Sequence, residues 1–384
     1  MRVLCLCAQA LLFALRALAD TASIAQVYTT QGSIPRSVWS TYLTDPKTPS
    51  GTQSALKSAL VRQRHFCQDA YPADVERFKQ SQVFSDAPSP FFIYVRSEPD
   101  VVSSQVLTTG KWADDLLRDI YFALEYNPPV QGAAGAAGAG AGAAAGAAAA
   151  VGGGAGSGEG TKSRVFIDVG ANFGWLTMNV AARGYRVAAV EAMKHNQKML
   201  RNSLCAHPDI MGRVVLFATG VSNDTATCYM YSDDNNQGNG HSMCGLSEEA
   251  VRQALPPGHS IRDSMAVQRL DALLGGVEVQ VMKIDVEGFE PMVMYGAAEM
   301  LRAGKIKFVC MEFFPDFMQR NLHNPNATIE FIDFLVSLPY RISILAFDHG
   351  YMTPAQAAVA LRGDRTRDDI FLAHESLPLV AGVL

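Results

Sequence analysis

The chain has 384 residues, 48% of them hydrophobic and 18% charged, with a mean hydropathy of +0.07. This composition describes a folded globular protein of one large or two modest domains and excludes a disordered polyelectrolyte, a fibrous repeat and a disulfide scaffold. The formal net charge is −5, with 32 basic residues dispersed among 37 acidic ones; without a basic stripe to neutralise a phosphate backbone, no nucleic-acid partner is expected.

Met1-Arg2 precedes a mostly apolar run from Val3 to Leu15 and the small-x-small triplet Ala17-Leu18-Ala19. As a helix this run rises only about 20 Å, short of the roughly 30 Å hydrocarbon core. Residues 1–19 therefore read as a signal peptide, and the address as the secretory-pathway lumen (endoplasmic reticulum or Golgi) or the exterior. The rivals are an organellar transit peptide, since Arg2 and Arg16 are the only charges before Asp20, and a retained anchor. No membrane span is expected after signal cleavage.

Residues 20–131 read as an N-terminal extension of mixed character. Ser54 to Gln68 is expected to be helical, Phe91 to Val95 a strand, and Lys111 to Glu125 a helix with Trp112, Leu116, Leu117, Ile120 and Leu124 on one face. Asn127-Pro128-Pro129 stops that helix. Residues 132–160 are almost pure Gly and Ala and are expected to be a flexible insert.

From 161 to 384 the pattern becomes strands alternating with helices, the signature of a parallel sheet covered on both flanks. Strands are expected at Val165–Asp168, Tyr185–Val190, Arg213–Ala218, Val279–Ile284 and Ile306–Met311, and helices at Asn172–Arg183, Lys194–Cys205 and Glu290–Arg302. Between Thr227 and Arg269 the alternation lapses, and the turn-rich run Asp233 to Met243 reads as a surface insertion of the kind that often carries a site. Removal of Cys5 and Cys7 with the signal leaves Cys67, Cys205, Cys228, Cys244 and Cys310. Cys228 and Cys244 are spaced to close a small loop and Cys310 reads as a buried strand thiol, with connectivity open. Asn223-Asp224-Thr225 and Asn326-Ala327-Thr328 are glycosylation acceptors if the chain enters the endoplasmic reticulum.

Three segments carry chemistry. In Asp168-Val-Gly170-Ala-Asn172-Phe-Gly174, leaving a strand for a helix, Gly170 frees the backbone to turn and approach a ligand, Gly174 lets the helix pack, and the helix start offers N–H groups to an anion. Asn172 stands where the three-glycine dinucleotide fingerprint needs a glycine, and no Walker-type Gly-Lys-Ser/Thr occurs, which demotes a nicotinamide-dependent oxidoreductase. Glu191 closes the next strand, where doubly wound nucleotide-binding folds place the acid that holds ribose hydroxyls. In Lys283-Ile-Asp285-Val-Glu287-Gly288-Phe-Glu290, Asp285 and Glu287 fall beyond the carboxyl end of a parallel strand, where paired carboxylates can hold separated pKa values and one can act as a base. Helix capping is the plainer role for either acid. His241 and Ser242 are weaker candidates to reach an acceptor, Gly245 falls one residue too late for a nucleophile elbow at Ser242, and no ligand spacing suggests a metal.

Together the DVGANFG turn, Glu191, Leu270-Asp271, the KIDVEGFE segment, Gly296-Ala297 and Glu312 resemble the FkbM-type S-adenosylmethionine-dependent methyltransferases over roughly residues 110 to 375. Ala192 departs from the Pro common in that family. The resemblance implies a class I Rossmann-like methyltransferase domain at 161–384 with a doubly wound, mostly parallel seven-stranded sheet. It also implies S-adenosylmethionine as cofactor, with cofactor contacts at Asp168, Gly170, Asn172, Gly174 and Glu191, and Ser222 and Asn223 beside the adenine. Members act on varied acceptors, often hydroxyls. The expectation is an O-methyltransferase acting on a glycan or small molecule, with Asp285, Glu287 and His241 as catalytic candidates. The alternative is a catalytically inactive binding or scaffolding protein on the same fold.

Overall fold

The computed structural model describes residues 37–69, 78–83, 87–97, 100–127, 162–234, 236–363 and 369–378. The expected signal segment 1–19 and the Gly/Ala run 132–160 lie outside the described residues. The first helices, α1 (Ser40–Thr44) and α2 (Ser50–Asp69), are tied to the rest of the chain by apolar burial and by polar bonds. Trp39 and Leu56 enter one apolar cluster with Val165, Ile167 and Met282. Trp39 Nε1 donates to the Arg213 carbonyl at 2.9 Å, Gln63 Nε2 donates to the Val214 carbonyl at 2.8 Å, and Cys67 is disulfide-bonded to Cys205. An antiparallel hairpin, β1 (Phe78–Val83) with β2 (Phe91–Arg96), follows. Next come α3 (Val101–Thr109), capped by Asp100 accepting from Ser103 N, and α4 (Asp114–Glu125). α4 starts three residues later than its hydrophobic pattern suggests: Ala113 has φ 45°, outside the helical region, so Trp112 is set apart from the helix face expected to include it.

The second part builds the main sheet. Its elements are β3 (Val165–Val169), α5 (Trp175–Ala182), β4 (Arg186–Val190), α6 (Lys194–Ala206), α7 (Pro208–Met211), β5 (Val214–Phe217), β6 (Gly220–Val221), β7 (Ala226–Asp233) and β8 (Asn236–Cys244). They continue with α8 (Glu248–Ala254), β9 (His259–Gln268), α9 (Leu270–Leu274), β10 (Val279–Ile284), α10 (Glu290–Gly296), α11 (Ala298–Arg302) and β11 (Ile306–Glu312). The last are α12 (Pro315–Asn321), α13 (Ala327–Ser337), β12 (Tyr340–Ser343), β13 (Tyr351–Met352), α14 (Pro354–Gly363) and β14 (Asp369–His374). The sheet is eight-stranded in the order β13-β12-β14-β11-β10-β3-β4-β5. This corrects the expected seven-stranded sheet: β5, β4, β3, β10 and β11 are parallel neighbours, but β14 is antiparallel to β11 and β12, and β13 is antiparallel to β12. Parallel neighbours require a long crossover, and the short link from Ser343 to Tyr351 forces β13 to return antiparallel.

Residues on the strands alternate between two apolar clusters, one on each face. Val165, Ile167 and Val169 belong to one cluster, and Phe166 to the other, with Leu117 and Ile120 of α4. The chain builds outward through β3, β4 and β5, then crosses back to place β10 on the other side of β3. That reversal opens a crevice at the carboxyl ends of β3 and β10, the usual ligand position in such sheets.

The run Asp233 to Met243, expected as a surface insertion, is no loop: it falls mostly in β8, and β6 to β9 form a second, four-stranded sheet of order β6-β9-β7-β8, antiparallel except for β6 against β9. Cys228 and Cys244 face each other across β7 and β8 and are disulfide-bonded. Cys310, in β11, is buried and free. Among the described residues no helix is long and apolar enough to cross a membrane.

Candidate active site

Strand parity puts the first charged groups together. Lys283 pairs with Asp168 on the adjacent strand, and both lie on the sheet face that carries α4. A lone buried cation or anion is costly, so each needs the other. Lys283 Nζ stands 3.1 Å from Asp285 Oδ2 and 3.8 Å from Asp168 Oδ1, and donates to the Gly170 carbonyl at 3.3 Å. Burial pulls the Lys283 pKa down, but Asp285 and Asp168 outweigh it and hold the ammonium well above its usual range. Asp168 Oδ2 accepts from Thr177 Oγ1 at 2.6 Å. Burial raises its pKa, opposed by Lys283 and Thr177.

Above this pair the turn after β3 is held by backbone and carboxylate together. Gly170 has φ 79°, and a Cβ there would overlap the Asp285 carbonyl oxygen, so only glycine lets the two turns meet. Asn172 has φ 52° and donates its N–H to Glu191 Oε2 at 2.7 Å, while Glu191 Oε1 accepts from Met193 N at 2.7 Å. Burial lifts the Glu191 pKa to about 7 despite those bonds. Gly174, φ 95°, serves packing: a Cβ would overlap Leu200 of α6.

The turn after β10 mirrors the first. Asp285 N donates to the Val169 carbonyl at 3.1 Å, which carries the ladder past the strand end, and the Asp285 side chain is 36% exposed. Glu287 has φ 56°, and burial followed by the Asp285 charge raises its pKa to about 7. Glu290, fully inside, accepts from Val286 N at 3.0 Å and Gly288 N at 3.1 Å and so shapes the turn. Glu312, at the end of β11, is pushed up to about 10 by burial and by Asp285, Glu290 and Glu287.

These groups border one cavity of about 280 Å³. Asp168, Gly170, Asn172, Glu191, Ser222, Asp285 and Glu287 line it together, and Gly174, Asn223 and His241 do not. Asn223 turns its side chain to Ser222 Oγ and its carbonyl to Arg269. His241 lies behind the wall: its Nδ1 is 3.4 Å from Asn321 Nδ2, which donates to the Glu287 carbonyl at 2.5 Å. Of the four non-glycine residues with positive φ among the described residues, Ala113, Asn172 and Glu287 line this cavity. Such backbone strain gathers at functional sites.

Two polar atoms on the wall are buried without a hydrogen-bond partner, Asp168 Oδ1 and Trp175 Nε1. Sequence reasoning assigned no role to Lys283, Trp175 or Trp112, which also line the cavity. The signal for Lys283 was present, since a lysine inside the apolar strand Val-Gln-Val-Met-Lys-Ile must find a partner when buried. Other members of the resemblance set are structural: Asp271 accepts from Met300 N and Glu299 N at the start of α11, and Gly296 leaves room for the Ser222 carbonyl.

A crevice at the switch point of a doubly wound sheet, with an acid closing the second strand, defines the Rossmann-like class of nucleotide-cofactor folds. Residues 168–350 match the methyltransferase FkbM domain. The match begins later than residue 110, where the resemblance was expected to start. The chain is similar to a protein of the NADB-Rossmann superfamily from Streptococcus agalactiae, at 12% identity and TM-score 0.29, over 56% of this chain and 62% of that one. It thus spans less than two thirds of that protein's length. It is also similar to an O-methyltransferase from Bacillus cereus in complex with SAH, at 14% identity and TM-score 0.28, over 55% of this chain and 74% of that one. No curated protein sequence matches the chain.

Proposed function

We propose that this protein is an S-adenosylmethionine-dependent O-methyltransferase acting on a hydroxyl of a glycan or small molecule, in the secretory-pathway lumen or outside the cell. The observation that carries the reading is the shared cavity: the acid after β4 and the acids after β10, all in the FkbM-matched region, face one space. The donor set suits the cofactor. The Trp175 N–H, which has no acceptor, can donate to a carboxylate, and Asp168 Oδ1, which accepts no hydrogen bond beside its ion pair with Lys283, can accept from an ammonium, the two ends of an amino acid, while Glu191 retains acceptor capacity for ribose hydroxyls. The chemistry this cofactor supplies when bound is an activated methyl group.

What remains for the chain is to align the acceptor, take its proton and exclude water. Asp285 and Glu287 are the groups placed for the proton, and Glu287, with a pKa near 7, is matched to a base working at neutral pH. Lys283 anchors Asp285 and fixes its orientation. His241 holds Asn321 and through it the Glu287 backbone, a positioning role. Burial, then Arg320 and His259, lowers the His241 pKa and favours the neutral ring. The lumenal address rests on the N-terminal pattern and agrees with two disulfides.

The test is incubation of the purified full chain with methyl-labelled S-adenosylmethionine and a panel of glycans and small hydroxylated compounds. Label on a hydroxyl oxygen is the expected result. Label only on nitrogen or carbon removes the O-specificity, and failure of calorimetry to detect the cofactor or its demethylated product removes the methyltransferase reading.

A further inference from the structure

Part of the cavity wall comes from outside the FkbM-matched region. Val102, Trp112, Ala113 and Leu116 line the same cavity as Asp285 and Glu287, although the match begins at residue 168. The direction of α4 explains how they arrive. Gln280, near the start of β10, donates to the Ala123 carbonyl at 2.8 Å, and Arg183 pairs with Glu125 at 3.5 Å. The C-terminal end of α4 therefore sits at the amino edge of the sheet, and the helix runs antiparallel to β10. Its first turn is delivered to the carboxyl edge of the strand that presents Asp285. Ala113 breaks the helix there and leaves Trp112 half-buried against the cavity.

The charge of the lining is one-sided. Its acids include Asp285, Glu191 and Glu287, with Glu312 held protonated by its neighbours, whereas its only basic side chain among the described residues is Lys283. The Lys283 ammonium is already committed to Asp285, Asp168 and the Gly170 carbonyl. An anionic acceptor would meet carboxylates and find no free cation. An uncharged or cationic molecule with a flat apolar body would meet the indole of Trp112 and the Leu116 side chain while its polar end reached Asp285. We infer that the segment Val102–Leu116 forms the acceptor wall, with Trp112 as its specificity-determining residue, and that the acceptor is uncharged or cationic with a flat apolar face, never an anion. This rests on the methyltransferase reading above and narrows its substrate class.

A matched phenol series tests it on the full chain saturated with S-adenosylhomocysteine. Tyrosol is neutral, tyramine cationic and 4-hydroxyphenylacetate anionic, and their affinities are read by ligand-observed NMR titration. Tyrosol and tyramine should bind, with 4-hydroxyphenylacetate weaker by about tenfold or more. Trp112→Ala should weaken tyrosol by about tenfold and Trp112→Phe by no more than about threefold, with S-adenosylhomocysteine affinity unchanged in both. Trp112→Arg should invert the charge preference, admitting 4-hydroxyphenylacetate over tyramine. That gain of binding cannot come from misfolding. Equal or tighter binding of the anion by the natural protein, no binding of any of the three, or an unchanged order in Trp112→Arg would each overturn the inference and leave the methyltransferase reading standing. Loss of S-adenosylhomocysteine binding in the natural protein would instead remove that reading, and the inference with it.

Discussion

At the end of β3 the chain turns through Gly170 and Asn172, and the carboxylate of Glu191 is held by the N–H groups of Asn172 and Met193. At the end of β10 it turns through Glu287 and Gly288, but there the acid that accepts the turn's N–H groups is Glu290, beneath the surface. Asp285 and Glu287 are thereby left facing the cavity, Asp285 restrained by Lys283 alone among the described ion pairs. Both turns carry a strained non-glycine residue, yet in the first the cavity acid also holds the turn together, and in the second those tasks belong to different acids. A group that holds the backbone is poorly placed to exchange protons. Separation of the two roles leaves one pair of carboxylates available for chemistry.

The strongest way to break this comparison is Asp285→Asn. If Asp285 takes the acceptor proton, turnover should fall by about 10²–10⁴-fold while S-adenosylhomocysteine affinity, measured by calorimetry, stays close to normal. Near-normal turnover, with a collapse in Glu287→Gln, would pass the role to the second carboxylate. Lys283→Met attacks the link between the turns. Removing one partner from a buried charge cluster costs about 3–5 kcal/mol, so denaturant unfolding should show a large loss of stability. Adding Asp168→Asn should restore part of it. No recovery in the double variant would mean that the lysine does not serve to neutralise Asp168.

In the first turn, Glu191→Ala should weaken cofactor binding by about 10- to 150-fold, from about 1.5–3 kcal/mol for charge-assisted hydrogen bonds. Turnover at saturating cofactor should change less than in Asp285→Asn. The smallest expected effect is a pH dependence of stability. Burial raises the Glu290 pKa from 4.5 to about 7, so the folded state binds this proton more tightly than the unfolded state does. Its contribution is full below pH 4.5 and declines as pH rises to about 7. Glu290→Gln keeps the accepting oxygen for Val286 N and Gly288 N and should flatten that part of the melting-temperature profile. An unchanged profile would show that the Glu290 carboxyl is solvated.

Much of the site was legible because it lies in three short segments whose residues are bound to their strands. Asp168, Asp285 and Glu191 are strand-end acids, and a parallel sheet at a switch point carries such residues to one edge wherever the helices lie. Gly170 and Gly174 were legible as a turn with separate tasks, close backbone approach and helix packing, but not their partners, the Asp285 carbonyl and Leu200. The second sheet was illegible. β9 is mostly half-exposed with no clean alternation, and β8 runs through Asn and Gly, which seldom favour strands. Its strands exist because they pair with one another, and the apolar cluster they support is small.

The amino-acid sequence alone determined the α/β class, the order of the main strands from β3 to β11, the two glycine-and-acid turns and the FkbM resemblance. Periodicity and turn chemistry are local properties of the chain. Only the tertiary structure decided that Lys283 is shared among three backbone and carboxylate groups, that Glu312 is driven up by acids from other turns, that His241 stands behind the wall, and that Trp112 joins Asp285 at one cavity. Those outcomes depend on distances between residues far apart in sequence. Electrostatic energy and burial are functions of distance, not of order along the chain.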